Sequence, residues 1–364
     1  MSRKPDGPLR RGWTTGACAT AATKAALTAL VTGAFPDPVR IRLPKGEEPA
    51  FPLAREATGE GWASAGIVKD AGDDPDVTHG ATVISTVRRG DMGSGVVFKA
   101  GVGVGTVTQP GLPVPVGEPA INPVPRRLMM DVVVEIAAAL GGPVDVEIEI
   151  SIPDGEALAT KTWNPRLGIL GGLSILGTTG IVHPFSCAAW IHSIQRGIDV
   201  ARATGLSHAV ACTGSTSEAA VARLYDLPEI AFLDMGDFAG GVLKYLRRNP
   251  VPRVTLAGGF GKFTKLAQGH LDLHSGRSQV DFDWLADRLV EMGAASDLVA
   301  TARGANTANQ VLGLAEEAGL PLAERVARDA MATAREVLET ASIALEVIVI
   351  DRAGSLLARV TDDG

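Results

Sequence analysis

The feature that most constrains the fold is the alternation of short apolar runs and longer helical stretches in the second half of the chain. The apolar runs lie at 172–176, 208–212, 230–234 and 253–257. Each of the first three is followed by a stretch with helical periodicity, and the fourth leads into a glycine-rich turn. Strands that alternate with helices form parallel βαβ units. The pattern therefore predicts a doubly wound, mostly parallel α/β sheet.

The first half of the chain has a different pattern. An alanine-rich helix is predicted from about residue 15 to 31, with Thr14 or Thr15 as its cap and Gly33 just past its end. The other predicted elements are strands at 39–43, 62–68, 81–88, 95–108 and 144–152 and a helix at 126–140. This mixed order predicts an α+β domain. We therefore expect two domains, an α+β domain at 1–152 and a Rossmann-like α/β domain at 153–364.

The composition argues against several classes of protein. Hydrophobic residues make up 46% of the chain, which is typical of a globular protein. A net charge of −7 and the lack of a long basic run argue against a general nucleic-acid binder. No apolar stretch reaches the length of a membrane span, and three scattered cysteines are too few for a disulfide framework. We therefore expect a cytoplasmic protein without membrane or nucleic-acid partners, and leave open whether it forms homo-oligomers.

An acidic loop is the most unusual local feature of the first half. Residues 66–80 contain Asp70, Asp73, Asp74 and Asp76 between turn-forming glycines. Carboxylates this close repel one another, so an ordered loop needs a metal, a cationic ligand, basic neighbours or a proton held on one acid. The alternative is a solvated turn. Neither the D-x-D-x-T phosphatase pattern nor the EF-hand pattern fits the loop.

The start of the first helix has the features of an anion site. Thr14, Thr15 and Gly16 form its first turn, where backbone N–H groups are free to bind an anion. Arg10 and Arg11 lie just upstream and would add positive charge. An ordinary capped helix is the alternative interpretation.

Three glycines in the run at 95–108 have the period of one strand face. They are Gly101, Gly103 and Gly105. Because glycine weakens a strand, three on one face indicate a close approach by backbone or by a flat ligand. A simple bulge is the competing interpretation, and the sequence does not separate the two.

Four turns follow the apolar runs of the second half, at the carboxyl ends where sheets of this type bind ligands. They combine glycines with hydroxyl or carboxylate groups and lie at 177–180, 213–218, 234–237 and 258–262. Their convergence indicates a nucleotide-like ligand, although the P-loop and the G-x-G-x-x-G patterns are both incomplete. Glu218 is either a capping-box acid or a ligand of ribose hydroxyls.

Taken together, these motifs resemble the cobalt-precorrin-5B C1-methyltransferase family of anaerobic cobalamin biosynthesis. The matching segments lie at 12–19, 69–80, 177–182, 213–218, 258–262, 268–269, 274–275 and 280–281. The resemblance implies transfer of a methyl group from S-adenosylmethionine to C1 of cobalt-precorrin-5B, which gives cobalt-precorrin-6A. Since the cobalt is part of the small-molecule substrate, we expect no metal bound by the protein.

The implied chemistry assigns roles to these residues as hypotheses. Methyl transfer depends on positioning and charge placement, with a base to remove a proton afterwards. The catalytic candidates are Asp73, Asp74 and His79. The candidates for binding the carboxylate-rich macrocycle are Arg10, Arg11, Thr14, Thr15, Gly16, Lys69, Gly101, Gly103 and Gly105. The candidates for binding S-adenosylmethionine are Thr178, Thr179, Gly180, Thr213, Gly214, Ser215, Ser217, Glu218, Asp234, Gly258, Gly259 and Lys262.

Two other functions remain open at this point. A metal-dependent phosphoesterase would use the aspartates of 70–76 as metal ligands and would have no affinity for S-adenosylmethionine. A non-catalytic tetrapyrrole-binding protein would hold the macrocycle and transfer nothing to it.

Overall fold

The computed structural model describes residues 7–362 of the chain. The chain forms two compact units, one ending at Cys187 and the other beginning at Ala188. This division lies further along the chain than the predicted boundary after residue 152, because two short strands beyond 152 pair with strands of the first unit. None of the helices among residues 7–362 has both the length and the apolar character needed to span a membrane.

The first unit contains eleven strands and three helices among its described residues. The strands are β1 Gly12–Trp13, β2 Val39–Arg40, β3 Ala50–Phe51, β4 Arg55–Gly59, β5 Trp62–Val68, β6 Thr82–Arg89, β7 Val96–Ala100, β8 Thr106–Val107, β9 Val146–Ser151, β10 Ile169–Leu170 and β11 Ile181–Val182. The helices are α1 Thr15–Thr32, α2 Pro123–Leu140 and α3 Gly155–Ala159.

A five-stranded sheet with the order β4-β5-β6-β9-β7 is the centre of this unit. All its pairs are antiparallel except β7 with β9. Helix α1 packs on the sheet and against α2, and it is buried on almost every side because its residues are mostly alanine and threonine. Thr23 of α1 reaches Ser85 of β6 at 2.8 Å between hydroxyl oxygens. Burial raises the pKa of the Cys18 thiol to about 12, so this cysteine is an inert packing residue.

The predicted strand at 95–108 is wrong in its middle. Strand β7 ends at Ala100, Val104 forms a single bridge, and the next strand, β8, begins at Thr106. Gly103 has a φ of +73°, a left-handed conformation that a regular strand does not contain. A turn at 102–103 therefore interrupts the run, and the three glycines do not form one continuous strand face.

The described part of the second unit has five strands and eight α-helices, of which the first, α4, begins at Cys187. The strands are β12 His208–Cys212, β13 Phe232–Asp234, β14 Arg253–Gly259, β15 Ala344–Ile350 and β16 Leu356–Thr361. The helices are α4 Cys187–Ala203, α5 Ser215–Ala222, α6 Ala239–Arg248, α7 Phe260–Ala267, α8 Phe282–Glu291, α9 Ser296–Arg303, α10 Ala308–Glu317 and α11 Leu322–Leu338.

These strands form one sheet with the order β13-β12-β14-β15-β16. The first four are parallel and β16 is antiparallel to β15. Alternate residues of a strand enter different cores: Ala209 and Ala211 pack on the side of α6 and α11, and Val210 and Cys212 on the side of α5. Helices on both faces of a mostly parallel sheet confirm the predicted doubly wound α/β class.

The run at 172–176 does not belong to this sheet, contrary to the prediction. Leu173 and Ile175 form bridges with Val104 and Ile121 inside the first unit. Periodicity could not reveal this difference, since a short apolar run is buried equally well by either unit. The turn at 177–180 is consequently not at the end of a strand of the second sheet.

A network of hydrogen bonds around the buried carboxylate of Glu346 occupies the amino-terminal side of the second sheet. Glu346 is 1% exposed and accepts hydrogen bonds from Tyr225 at 2.8 Å, from Arg359 at 2.7 Å and from Thr255. Burial favours its neutral form, but these hydrogen bonds and the Arg359 charge lower its pKa below the ordinary value. His208 donates to or accepts from the Thr255 hydroxyl at 2.8 Å and extends the network. This side of the sheet is therefore packed with its own polar groups.

Candidate functional site

The acidic loop connects β5 to β6 and is closed at its base by two backbone hydrogen bonds. The Lys69 N–H donates to the Ala81 carbonyl and the Gly80 N–H to the Lys69 carbonyl, both at 2.8 Å. The Lys69 ammonium is 2% exposed, pairs with Asp76 and donates to the Thr78 hydroxyl at 2.7 Å. Lys69 is thus an internal counter-ion of the loop, which corrects the prediction that it faces the substrate.

Asp76 is the centre of this internal network. Its Oδ1 accepts from the Thr78 N–H at 2.8 Å and from the Thr78 hydroxyl at 2.6 Å, while Oδ2 faces Lys69. Burial opposes ionisation of Asp76, but the Lys69 charge and the hydrogen bonds from Lys69 and Thr78 lower its pKa overall. A charged Asp76 therefore helps to order the loop.

A strap formed by residues 10–13 crosses the loop and supplies its second cation. The Arg10 N–H donates to Asp73 Oδ2 at 2.6 Å, and the Asp73 N–H donates back to the Arg10 carbonyl at 3.0 Å. The Trp13 N–H donates to the Asp70 carbonyl at 2.7 Å. The Arg10 guanidinium, together with the Gly72 N–H, lowers the pKa of the Asp70 carboxyl to about 2. Basic neighbours and backbone donors thus order the aspartates.

Two glycines allow the strap and the loop to touch through their backbones. A Cβ on Gly12 would lie 2.0 Å from the Ala71 carbonyl carbon. A Cβ on Gly72, whose φ is +68°, would lie 2.2 Å from the Arg10 carbonyl oxygen. Neither contact tolerates a side chain without a backbone shift, so both glycines are required by close approach.

The three catalytic candidates lie on the outer part of the loop. His79 is exposed and its Nδ1 accepts the Ala71 N–H at 3.1 Å. Asp73 and Asp74 are half-buried, and Asp74 Oδ1 accepts the Phe185 N–H at 2.8 Å. Phe185 has a φ of 56°, in the left-handed region that is uncommon for residues other than glycine. The loop thus holds the segment 183–187 as well as the strap.

The start of α1 does not provide the predicted anion site. The Gly16 N–H donates to the Leu176 carbonyl at 2.9 Å, and the Ala17 N–H donates to the Thr14 hydroxyl at 3.2 Å. The Thr15 hydroxyl accepts the Leu176 N–H at 3.0 Å. Thr14 and Thr15 are buried. The segment around Leu176 therefore uses the groups that were expected to bind a substrate carboxylate, and the ordinary capped helix is the correct interpretation here.

The glycines at 101–105 lie against other backbone and side-chain atoms of the chain instead of presenting a flat surface. A Cβ on Gly103 would lie 1.9 Å from the Ile152 carbonyl oxygen. A Cβ on Gly101 would lie 2.0 Å from the Ser151 hydroxyl, and one on Gly105 would lie 2.6 Å from the Ile169 side chain. Close approach by the chain's own atoms is the interpretation that the structure supports, and it leaves no open glycine face for the macrocycle at 101–105.

The second unit has a cleft of about 510 Å³ at the carboxyl ends of its strands. It lies where β12, β14 and β15 end, which is the usual ligand position in doubly wound sheets. Its lining consists of residues 213–217, 259–262, 309 and 350–352. The lining includes the predicted residues Thr213, Gly214, Ser215, Ser217, Gly259 and Lys262.

Glycines keep the cleft open. A Cβ built on Gly214 or on Gly259 would meet no atom within 4 Å. Helices α5 and α7 begin at these two glycines, and neither start is capped by a side chain. Lys262 lies on the wall, donates to the Thr213 carbonyl at 2.9 Å and lies 3.2 Å from Asp237.

Other predicted donor-binding residues lie outside the cleft lining. Gly258 is a packing glycine, since a Cβ there would lie 2.5 Å from the Phe263 ring. The Asp234 carbonyl accepts the Trp190 indole N–H at 3.1 Å, and Glu218 lies within α5. Thr178, Thr179 and Gly180 belong to the first unit, where Gly180 touches Leu43.

Three polar residues of the cleft lie outside the turns that the sequence singled out as ligand-binding. Asn309 lies at the start of α10, and Asp351 and Arg352 lie in the turn between β15 and β16. A hydrogen bond from the Ser355 N–H to Asp351 lowers the pKa of this carboxyl, so Asp351 is charged at neutral pH. The sequence signalled the turn, but only the strand order brings it beside β14.

A second groove, of about 420 Å³, lies in the first unit on the face of the sheet opposite α1. Trp62, Ile84 and Thr86 contribute to its floor, and Arg55 and Arg88 to its edges. Arg88 lies 3.4 Å from both Glu147 and Glu149, so part of its charge is already balanced.

No group of three or more His, Cys, Asp or Glu side chains within residues 7–362 could hold a metal ion.

Comparison with known proteins relates both units to one family. The family model described as CbiD matches residues 2–184, and the model described as CbiD, C-terminal domain, matches residues 272–361. A cobalt-precorrin-5B C(1)-methyltransferase from Paramagnetospirillum magneticum is 65% identical, over 96% of this chain and 97% of that protein. The protein of the same name from Brucella anthropi is 64% identical, over 97% and 96%.

A protein of known crystal structure is also similar to the chain in sequence. It is the cobalamin biosynthesis protein cbiD from Archaeoglobus fulgidus, which is 26% identical. The match covers 79% of this chain and 86% of that one, with a TM-score of 0.39.

Proposed function

Because the chain belongs to the CbiD family, we propose that it methylates C1 of cobalt-precorrin-5B with S-adenosylmethionine as the methyl donor. The observation that carries this proposal is the identity of 63–65% with relatives of that name over nearly the full length of both chains. The cleft at the strand ends of the second unit agrees with it, since it offers space for a small ligand.

The reaction asks the protein mainly for positioning. The nucleophilic ring carbon of the macrocycle forms a bond to the methyl carbon, and the S–CH₃ bond breaks with its electron pair remaining on sulfur. The donor leaves as a neutral thioether, and a proton is removed from the macrocycle as conjugation is re-established. Holding the two reactants in line is a large part of such catalysis, and a positioned base contributes about 10²–10⁴-fold.

Asp73 and Asp74 are the best candidates for that base. In the acidic loop, one oxygen of Asp73 accepts the Arg10 N–H and one oxygen of Asp74 accepts the Phe185 N–H. A carboxylate has a second oxygen that can take a proton. His79 is less suited, because its Nδ1 lone pair accepts the Ala71 N–H and its other nitrogen carries the proton in the neutral ring.

The carboxylate arms of the macrocycle require cations on the surface. Arg11 is exposed, and the Arg10 side chain is 57% exposed beside Asp70, so both are candidates for pairing with those arms. Lys69 is excluded from this role by its burial.

Incubation of the protein with cobalt-precorrin-5B and methyl-deuterated S-adenosylmethionine tests the function. We expect mass spectrometry to detect one CD₃ group in the product. A metal-dependent phosphoesterase would instead hydrolyse a phosphate ester with Mg²⁺ or Mn²⁺ and would not bind S-adenosylmethionine. A non-catalytic carrier would retain the macrocycle without any gain in mass, and either result would contradict the proposal.

Replacement of Asp73 or Asp74 by Asn tests the base. We expect at least one of the two variants to lose about 10²-fold or more in single-turnover methylation, since an amide cannot accept the proton. Thermal unfolding should change little, because an amide oxygen still accepts the backbone N–H. Asp91→Asn, at an exposed turn, is the matched control. Unchanged single-turnover rates in both loop variants would rule out the role.

A further inference from the structure

We propose that the cleft of the second unit binds the amino-acid head group of S-adenosylmethionine. The carboxylate of that group would lie at the starts of α5 and α7 near Lys262, and its ammonium near Asp351. This inference rests on the proposed function, which supplies the ligand. It adds the location of the donor and the residues that recognise its charges.

The position and size of the cleft suit a ligand of this kind. Its volume of about 510 Å³ lies within the range of roughly 300–1,000 Å³ that is usual for small-molecule sites. It opens at the carboxyl ends of three strands of a doubly wound sheet. The opposite side of the sheet is filled by the network around Glu346. A ligand therefore has room at the carboxyl side.

The open backbone of the cleft favours a carboxylate. Gly214 and Gly259 have no atom within 4 Å of an added Cβ, so a ligand can approach the main chain there. The first N–H groups of α5 and α7 face no capping side chain. Lys262 lies on the same wall and adds positive charge there, although the Asp237 carboxylate at 3.2 Å balances part of it. Backbone donors and a cation together are a common arrangement for binding an anionic group.

The negative charge of Asp351 identifies the ligand more closely. A polyphosphate would be repelled by a carboxylate in its site. An amino-acid head group carries an ammonium beside its carboxylate, and the donor also carries a sulfonium, so a cleft with charges of both signs complements it. Asp351 and Arg352 are adjacent in the turn after β15, and Lys262 lies in α7. The mixture of charges therefore favours S-adenosylmethionine over a nucleotide.

Hydroxyl groups occupy the rest of the lining. Thr213, Ser215 and Thr216 border the cleft, and Asn309 adds an amide. These groups can donate to and accept from ribose hydroxyls. The neutral part of the lining is thus assigned to the adenosyl group.

The test is a comparison of two ligands with two variants by isothermal titration calorimetry. S-Adenosylmethionine contains the head group, and 5′-methylthioadenosine lacks it. We expect Lys262→Met and Asp351→Asn each to weaken binding of S-adenosylmethionine about tenfold or more, while the affinity for 5′-methylthioadenosine stays within about twofold. Lys244→Met and Asp297→Asn, at exposed positions on α6 and α9, are matched charge controls.

Several outcomes would overturn the inference. Unchanged affinity for S-adenosylmethionine in both variants would do so, as would a parallel loss for both ligands, because that indicates a general structural effect. A wild-type protein that binds no S-adenosylmethionine at millimolar concentration would also exclude the site. Failure of the function itself is distinguishable: the wild-type protein would then bind S-adenosylmethionine with the expected variant pattern but transfer no methyl group.

Discussion

The acidic loop of the first unit and the cleft of the second unit both contain the residue types of an active site, but they use them differently. In the loop, Lys69 and Asp76 pair with each other, and Asp70 pairs with Arg10. In the cleft, polar groups surround a space that glycines keep open. Charged residues that are crowded in sequence can therefore be a requirement of local folding. Glycines at strand ends are the better indication of an open cleft.

The largest effect should come from exchanging glycine for alanine in the two regions. We expect Gly12→Ala to destabilise the protein by about 5 kcal/mol or more, because its Cβ would overlap the Ala71 backbone at 2.0 Å. Gly259→Ala, where φ is −71° and no atom lies within 4 Å, should change the free energy of unfolding by less than about 1 kcal/mol.

Thermal and urea unfolding of the two variants measure this contrast. Gly313→Ala in α10, where a Cβ would also meet no atom, controls for the general effect of the exchange. Equal stabilities of Gly12→Ala and Gly259→Ala would mean that the strap does not touch the loop as described.

A smaller effect is expected from removing one partner of the buried pair. Asp76→Ala leaves the Lys69 ammonium, 2% exposed, without its carboxylate and should cost about 3 kcal/mol. The double variant Lys69→Met/Asp76→Ala should recover much of this loss, since an apolar side chain is tolerated where an unpaired charge is not. Urea denaturation of the wild type, Asp76→Ala, Lys69→Met and the double variant forms a double-mutant cycle, and an additive result would contradict the pairing.

The smallest effect concerns the stability of the folded protein at acid pH. Asp70 has a pKa of about 2 in the folded protein against an ordinary value of 3.8. Because the pKa is lowered in the folded state, ionised Asp70 contributes its full stabilisation above about pH 3.8. This contribution is lost as the pH falls toward 2. Because Asp70 is 44% exposed, we expect less than about 1 kcal/mol.

NMR titration of the Asp70 carboxyl in the wild-type protein and in Arg10→Gln measures this directly. The variant should titrate closer to 3.8, because the first cause of the shift is the hydrogen bond from Arg10. An identical pKa in both proteins would show that the guanidinium does not act on Asp70.

Much of the fold could be predicted because its elements are encoded locally. The strands at 62–68 and 208–212 coincide with the predicted runs, and α1 begins at Thr15 behind the predicted cap Thr14. Strand β4 was missed because its sequence, Arg55–Gly59, is a mostly exposed edge strand without an apolar pattern. The run at 172–176 has strand character, but its assignment to a unit depends on partners far along the chain.

The candidate site was less predictable for the same reason. Whether the first N–H groups of α1 are free depends on Leu176, which lies 161 residues from Thr15 in the sequence. Likewise, Arg352 reaches the cleft only because β15 lies beside β14 in the sheet. Residue types drew attention to the strand ends, where several of the predicted residues line the cleft, but long-range partners decided which other groups border it.

The pairing of β1 with β11 has a consequence for biosynthesis. Gly12 and Trp13 are hydrogen-bonded partners of Val182 and Ile181, so the first unit cannot be completed until the chain has been made to residue 182. At about 5–20 residues per second, roughly 10–30 s separate the synthesis of the two strands. During that interval residues 12–13 lack their strand partner, although the acidic loop that contacts the strap is complete once residue 80 has been made.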